Sequence, residues 1–222
     1  MVILGLTGSI GMGKTVAANY FRQLGVAVHD SDQAVHRLLA PGGKGVEPVA
    51  RAFPGVLCDG AIDRKELGAI VFDDDAALKS LEAILHPLVR LEEHRFLAAA
   101  ARRRRPEVVL DVPLLFETGG EARCDAVVTV SAPPFVQAAR VLSRPGMTRE
   151  RLDAVLERQM PDAEKCRRSD FVVKTGLGRS QSLRAVREIV SITRTWQGAN
   201  WPIRARTLRQ FSTFYPGRVG ER

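Results

Sequence analysis

Apolar residues fall along this chain in two patterns, short unbroken runs and longer stretches spaced at threes and fours. Val2–Thr7 is a run of the first kind, closed by glycine. Apolar side chains at successive positions predict a parallel strand buried on both faces. Residues 14–24 are of the second kind, with Val16, Ala17, Tyr20, Phe21 and Leu24 on one helical face. Gly25 stands where a helix C-terminal glycine belongs. Residues 26–29 predict a second short strand, closing a βαβ unit. Further buried strands are expected at 108–110, 126–130 and 171–173, with helices at 133–143, 149–158 and 182–195. Strand alternates with helix, so the expected class is α/β, a parallel sheet covered by helices.

The stretch 33–105 breaks that rhythm, because a plain crossover needs only about a dozen residues. It reads as helix at 34–39, 45–53, 64–72 and 75–101, the last interrupted at His86-Pro87. A residue before proline is pushed out of the helical region, which places the interruption there. An extra helical subdomain is expected, at the carboxyl ends of the strands, where open α/β sheets bind ligands. The chain shows no internal repeat and no low-complexity tract.

Between the first strand and the first helix stands Gly8-Ser9-Ile10-Gly11-Met12-Gly13-Lys14-Thr15. It matches G-x-x-x-x-G-K-[ST] at every fixed position. Wrapping phosphate oxygens in backbone N–H groups requires glycines that admit positive φ and close approach. The loop opens a helix whose N-terminus favours an anion. Lys14 supplies a cation for the β- and γ-phosphates of a nucleoside triphosphate, and the Thr15 hydroxyl a ligand for Mg²⁺.

Acidic residues follow two of the strands. Asp30 and Asp32, two apart in an extended segment, would point to the same side. Either carboxylate suits the base that takes a proton from an attacking hydroxyl; the plainer alternative has Asp32 capping the helix near Ala34. Asp111 ends the 108–110 strand, where an acid would hold magnesium through water; otherwise it is a strand-end turn residue. Arg140, Arg144, Arg149, Arg151 and Arg158 surround Pro145-Gly146, with Thr148 as a helix N-cap. Such a cluster could close over a transferring phosphate as a lid, although each arginine alone also reads as a solvated helix position.

A net charge of +8 widens the list of polyanionic partners. Much of it sits in Arg102–Arg105 and in the tail after Arg194; the four-arginine run reads as a solvated helix end. With 6% aromatic residues and no nucleic-acid motif, a nucleic-acid-binding module is the weaker reading. A GTPase switch lacks its guanine-reading Asn-Lys-x-Asp and its Asp-x-x-Gly element. Cys58, Cys124 and Cys166 are too scattered for a disulfide framework or a zinc site and fit a reducing cytoplasm. No apolar stretch approaches the roughly 18 residues of a membrane span. His29, His36 and His94 show no mutual metal spacing. Another small-molecule kinase, acting on a nucleoside, a nucleotide or shikimate, differs only in its acceptor pocket.

In order along the chain, residues 7–15, Asp30-Ser31-Asp32, Leu85-His86-Pro87-Leu88-Val89, Asp111-Val112-Pro113-Leu114-Leu115-Phe116-Glu117, Gln159-Met160-Pro161, Lys165 and Ser169-Asp170 resemble the motif series of the dephospho-CoA kinase family. The likeness covers roughly residues 2–190. It implies a P-loop NTPase-type core at about 1–32, 106–139 and 170–198, a helical CoA-binding insertion at about 33–105, and a helical lid at about 140–169, with 199–222 an unassigned basic tail. It implies transfer of the ATP γ-phosphate to the ribose 3′-hydroxyl of dephospho-CoA, with Mg²⁺ accompanying ATP. Asp32 falls on the family's base, and residues 8–15 on its ATP-binding loop. Arg64, His86, Pro113, Leu114 and Leu115 fall where the acceptor is gripped, and Arg140 and Arg144 on the lid arginines. The implied partners are ATP and dephospho-CoA, with neither nucleic acid nor membrane, in a cytoplasmic monomer or weak homo-oligomer. Ser9, Met12, Ser31, Val155 and Thr175 depart from the family's commonest residues, Thr175 replacing a frequent Asn near the adenine site. Trp196, Trp201, Arg204, Arg206 and Arg209 belong to no part of the pattern.

Overall fold

The computed structural model describes residues 1–72 and 74–202; Arg204, Arg206 and Arg209 lie outside them. The chain forms two compact units, one of Met1–His29 with the chain from Ala100 onward, the other of Asp30–Ala99.

The first unit is built on a five-stranded sheet. Its strands are β1 (Val2–Thr7), β2 (Ala27–Asp30), β5 (Glu107–Asp111), β6 (Ala126–Ser131) and β7 (Phe171–Lys174), in the order β2-β5-β1-β6-β7. The pairs β1–β5, β1–β6 and β6–β7 are parallel, with Leu4 opposite both Val109 and Ala126. β1 is buried along its whole length, as its unbroken apolar run requires. Helix α1 (Lys14–Gln23) packs Ala17, Ala18, Tyr20 and Phe21 into the sheet core. The expected apolar face was one residue off: Val16 and Ala18 flank the stripe, and the fold buries the small Ala18 while Val16 stays 42% exposed. Gly25 follows α1 at φ 82°, the left-handed turn predicted for it.

The chain continues through α6 (Pro134–Leu142), α7 (Arg149–Glu157) and α8 (Asp162–Arg168), and β7 is followed by α9 (Arg179–Thr193). Thr148 caps α7, its hydroxyl accepting from Arg151 N at 3.3 Å. Helix α8 had no counterpart among the expected elements. Beyond α9, Trp196 packs on Phe171 with ring centroids 5.9 Å apart. Asp125 holds the segment that follows. Its Oδ2 accepts from Ile3 N at 2.7 Å, while its Oδ1 accepts from Ala199 N and Asn200 N.

The second unit contains α2 (Ser31–Leu39), α3 (Val46–Ala52), a hairpin of β3 (Leu57–Cys58) and β4 (Ala61–Ile62), α4 (Arg64–Phe72) and most of α5 (Asp75–Arg102). Leu39, Val49, Phe53, Val56, Ile62, Leu67 and Leu85 form its core. The hairpin turns on Asp59 (φ 48°) and Gly60 (φ 76°), a pair suited to two successive left-handed residues.

The break expected at His86-Pro87 is absent: α5 runs through Pro87 without interruption. An interior proline costs about 3 kcal/mol, having no N–H to offer the carbonyl four residues back. Burying Leu85 and Leu97 returns roughly 2 kcal/mol each. Packing therefore outweighs the local preference. Arg102 closes α5, and Arg103, Arg104 and Arg105 are exposed, as a solvated helix end requires.

Candidate functional site

The loop 8–15 leaves β1 directly and enters α1 directly, with Gly13 at φ 92° as the N-cap. A Cβ at Gly11 (φ 76°) would lie 2.5 Å from Val141 Cγ2 and 3.1 Å from Gln137 O, so the loop is pressed against α6. Side chains hold it from behind. Gln137 Nε2 donates to Ile10 O at 2.8 Å, and Ile10 N donates to Gln159 Oε1 at 3.1 Å. Thr175 Oγ1 donates to Met12 O at 2.5 Å. Two glutamines and a threonine, far apart in sequence, thus fix the loop's backbone. Ser9 is buried, and Thr15 is exposed at the start of α1.

Lys14 Nζ lies 2.5 Å from Oδ1 of Asp111, a carboxylate whose side chain is 3% exposed. β5 ends beside β1, which brings the acid to the loop. The lysine expected to meet phosphate and the acid expected to hold magnesium are therefore neighbours.

Arg140 takes a different placement from the one expected of a lid arginine. Its Nη1 donates to Gly11 O at 3.3 Å and Thr175 Oγ1 at 3.0 Å, and its Nη2 to Thr175 O at 2.8 Å. It lies one turn beyond Gln137 on α6, so the face that supports the loop carries it there. Arg149 pairs with Asp153 at 3.2 Å, and Arg151 donates to Gly146 O, both local contacts. Arg144 is exposed.

After Asp111 the chain passes into Pro113-Leu114-Leu115-Phe116-Glu117. Thr7 Oγ1 donates to Pro113 O at 2.9 Å. Leu115 and Phe116 are buried with Val127, against Val112, Cys124 and Met160, while Leu114 is 39% exposed. Lys165, on α8, is fully buried; its Nζ sits 2.8 Å from Glu117 Oε1 and 3.4 Å from Pro113 O. The same Glu117 oxygen accepts from Met160 N at 2.9 Å.

In the second unit, the two acids do not share one extended strand. Asp30 is the N-cap of α2, its Oδ1 accepting from Gln33 N at 3.0 Å, whereas Asp32 stands exposed in the first turn of α2. The cap is therefore Asp30, and Asp32 keeps its carboxylate free of that role. His36 follows Asp32 by one turn of α2, and Arg64 Nη1 reaches its Nδ1 at 3.5 Å. His86 is exposed on α5. Gln137 carried no signal at all, since a glutamine in an amphipathic helix reads as solvated.

Among the described residues, no group of three or more His, Cys, Asp or Glu side chains assembles that could hold a metal ion. What the loop and the end of β5 offer are the Thr15 hydroxyl and the Asp111 carboxylate, hard oxygen donors that suit Mg²⁺ carried in on phosphate oxygens. No described helix is long and apolar enough to cross a membrane.

Comparison with known proteins agrees with this architecture. The family model described as dephospho-CoA kinase matches residues 2–178. A dephospho-CoA kinase of Paramagnetospirillum magneticum is 67% identical over 165 residues, covering 74% of this chain and 78% of the relative. One of Mesorhizobium japonicum is 52% identical over 199 residues, 90% of this chain and the whole of the relative. Among solved structures, a Thermus thermophilus protein superposes with a TM-score of 0.75 at 36% identity, over 86% of this chain and 96% of its own. The chain belongs to the dephospho-CoA kinase family.

Proposed function

We infer that the protein transfers the γ-phosphoryl group of ATP to the ribose 3′-hydroxyl of dephospho-CoA, releasing ADP and CoA. The observation that carries this reading is the pairing of Lys14 with Asp111 in a loop of phosphate-binding pattern braced from behind by Gln137, Gln159 and Thr175. Such bracing sets the backbone N–H groups before any ligand arrives, so binding energy is not spent on ordering the loop.

Residues 8–15 cradle the triphosphate, and Lys14 exchanges Asp111 for phosphate oxygens. Thr15, with Asp111 through water, would hold Mg²⁺, which supplies charge neutralisation between the β- and γ-phosphates. Asp32 accepts the proton of the acceptor hydroxyl; its exposure and its freedom from capping suit that role. Residues 33–105, with Arg64 and His86, contribute to acceptor binding, together with Pro113 and Leu114, while the side chain of Leu115 is buried and can serve only by seating that turn. Residues 140–169 act as a lid, in which Arg144 is the exposed cation for phosphate and Arg140 steadies the loop through Gly11. In-line transfer needs little covalent chemistry from the protein, so positioning and charge carry the rate. The reaction is expected in the cytoplasm, with no nucleic-acid or membrane partner, in a monomer or weak homo-oligomer.

The test is ADP release from Mg-ATP with dephospho-CoA, and with adenosine, AMP, CMP and shikimate in parallel. Turnover with dephospho-CoA alone, abolished by EDTA and restored by Mg²⁺, is the expected result. Turnover only with another acceptor keeps the phosphotransferase and discards the CoA assignment.

A further inference from the structure

A fully buried lysine is rare unless it is paired, because desolvating an ammonium is costly. Lys165 is such a residue, at 0% exposure, and the reaction as outlined makes no use of it. Its two contacts, Glu117 Oε1 at 2.8 Å and Pro113 O at 3.4 Å, fall at the two ends of the Pro113–Glu117 segment. One cation thus fixes both the start and the finish of the turn that presents Leu114.

The same turn is clamped from outside by two further contacts of this part of the chain. Arg168 lies over the Phe116 ring at 4.7 Å and pairs with Glu121 at 2.7 Å. Met160 N donates to Glu117, and its sequence neighbour Gln159 accepts from Ile10 N in the phosphate loop. The contacts therefore run without a gap from Ile10, through Gln159 and Met160, to Glu117 and Lys165, and on to the Pro113 carbonyl. That carbonyl also accepts from Thr7, at the foot of the phosphate loop.

We propose that Lys165, acting through Glu117 and the Pro113 carbonyl, is a positioning residue that holds the acceptor-binding turn in register with the phosphate loop. The proposal rests on the dephospho-CoA reading, in which Pro113 and Leu114 grip the acceptor. Lys165 touches no reacting atom. Its charge keeps the Glu117 carboxylate in place, and Glu117 in turn accepts from Met160 N.

The experiment compares wild type, Lys165→Met and Glu117→Gln by steady-state ADP release with varied dephospho-CoA, and by ATP binding measured without acceptor. Melting temperature is read alongside. The expected result is a KM for dephospho-CoA raised about tenfold or more in either variant, with ATP Kd within about twofold of wild type. The double variant Lys165→Met/Glu117→Gln, which buries no lone charge, should regain stability without regaining the acceptor KM. If Lys165→Met does not fold, Glu117→Gln is read by the same criteria, since it keeps an acceptor for Met160 N. An unchanged acceptor KM in a folded variant overturns the proposal, as does an equal loss of ATP affinity, which marks general damage. A wild type that binds ATP but does not phosphorylate dephospho-CoA overturns the functional reading, and this proposal with it.

Discussion

Lys14 Nζ rests 2.5 Å from Asp111 Oδ1, with the lysine side chain 17% exposed and the aspartate 3% exposed. The loop's cation is therefore already paired, and on the proposed reading nucleotide binding would exchange one anionic partner for another. Lys14→Ala should weaken ATP binding about 100-fold, through lost phosphate contacts. It should also lower stability by about 2 kcal/mol, because Asp111 stays buried without its cation. ATP titration and thermal melting measure the two effects separately. A variant with unaltered melting would show that the pair contributes nothing to the free protein.

Asp30 and Asp32 should separate cleanly on substitution. Asp30 caps α2, so Asp30→Ala should cost about 1 kcal/mol of stability. Asp32 makes no such contact, and Asp32→Asn should leave melting near wild type while lowering kcat about 1,000-fold with ATP binding retained. Near-normal turnover in Asp32→Asn would remove it as the base.

Thr175 serves the phosphate loop from β7's end, donating to Met12 O and accepting from Arg140. Thr175→Val keeps the shape but strands a buried carbonyl, a loss of about 1–2 kcal/mol. Since those bonds organise the loop, ATP Kd should rise several-fold while the acceptor KM stays put. Isothermal titration with ATP and steady-state kinetics with varied acceptor give the comparison.

Asp125 fastens the chain after α9 to the first strand. Asp125→Ala should cost about 2–3 kcal/mol, since Ile3 N loses its acceptor inside the fold. Hydrogen exchange should show the amides of Ala199 and Asn200 losing protection. Asp125→Asn, keeping one oxygen, should do both to a lesser degree.

Cys58 and Cys166 should differ in reactivity. Cys58 is exposed. Burial first, and the nearby Asp162 carboxylate second, push the Cys166 thiol above its ordinary range. Only the thiolate alkylates, so at pH 8 iodoacetamide should label Cys58 well before Cys166, by mass spectrometry of timed samples. Raising the pH should narrow the gap, because Cys166 then ionises more fully.

What the chain determined by itself was whatever depends on neighbours in sequence. The apolar run Val2–Thr7, the glycine-rich loop and the helix after it are local, and each formed where its pattern put it. Gly25 and the Thr148 cap are set by one residue's backbone freedom or one hydroxyl. The Asp59-Gly60 hairpin was equally local and could have been read from that dipeptide. Tertiary structure decided the rest, because burial and pairing depend on what lies opposite. Pro87 stays helical since Leu85 and Leu97 are buried on either side of it. Asp30 rather than Asp32 caps α2, because the helix begins at Ser31, directly after β2. Arg140 faces Gly11 because β7 delivers Thr175 there. Lys165 entered the sequence reading only as a member of the motif series; only packing α8 on the Pro113–Glu117 turn removes its water and leaves Glu117 as the compensating charge.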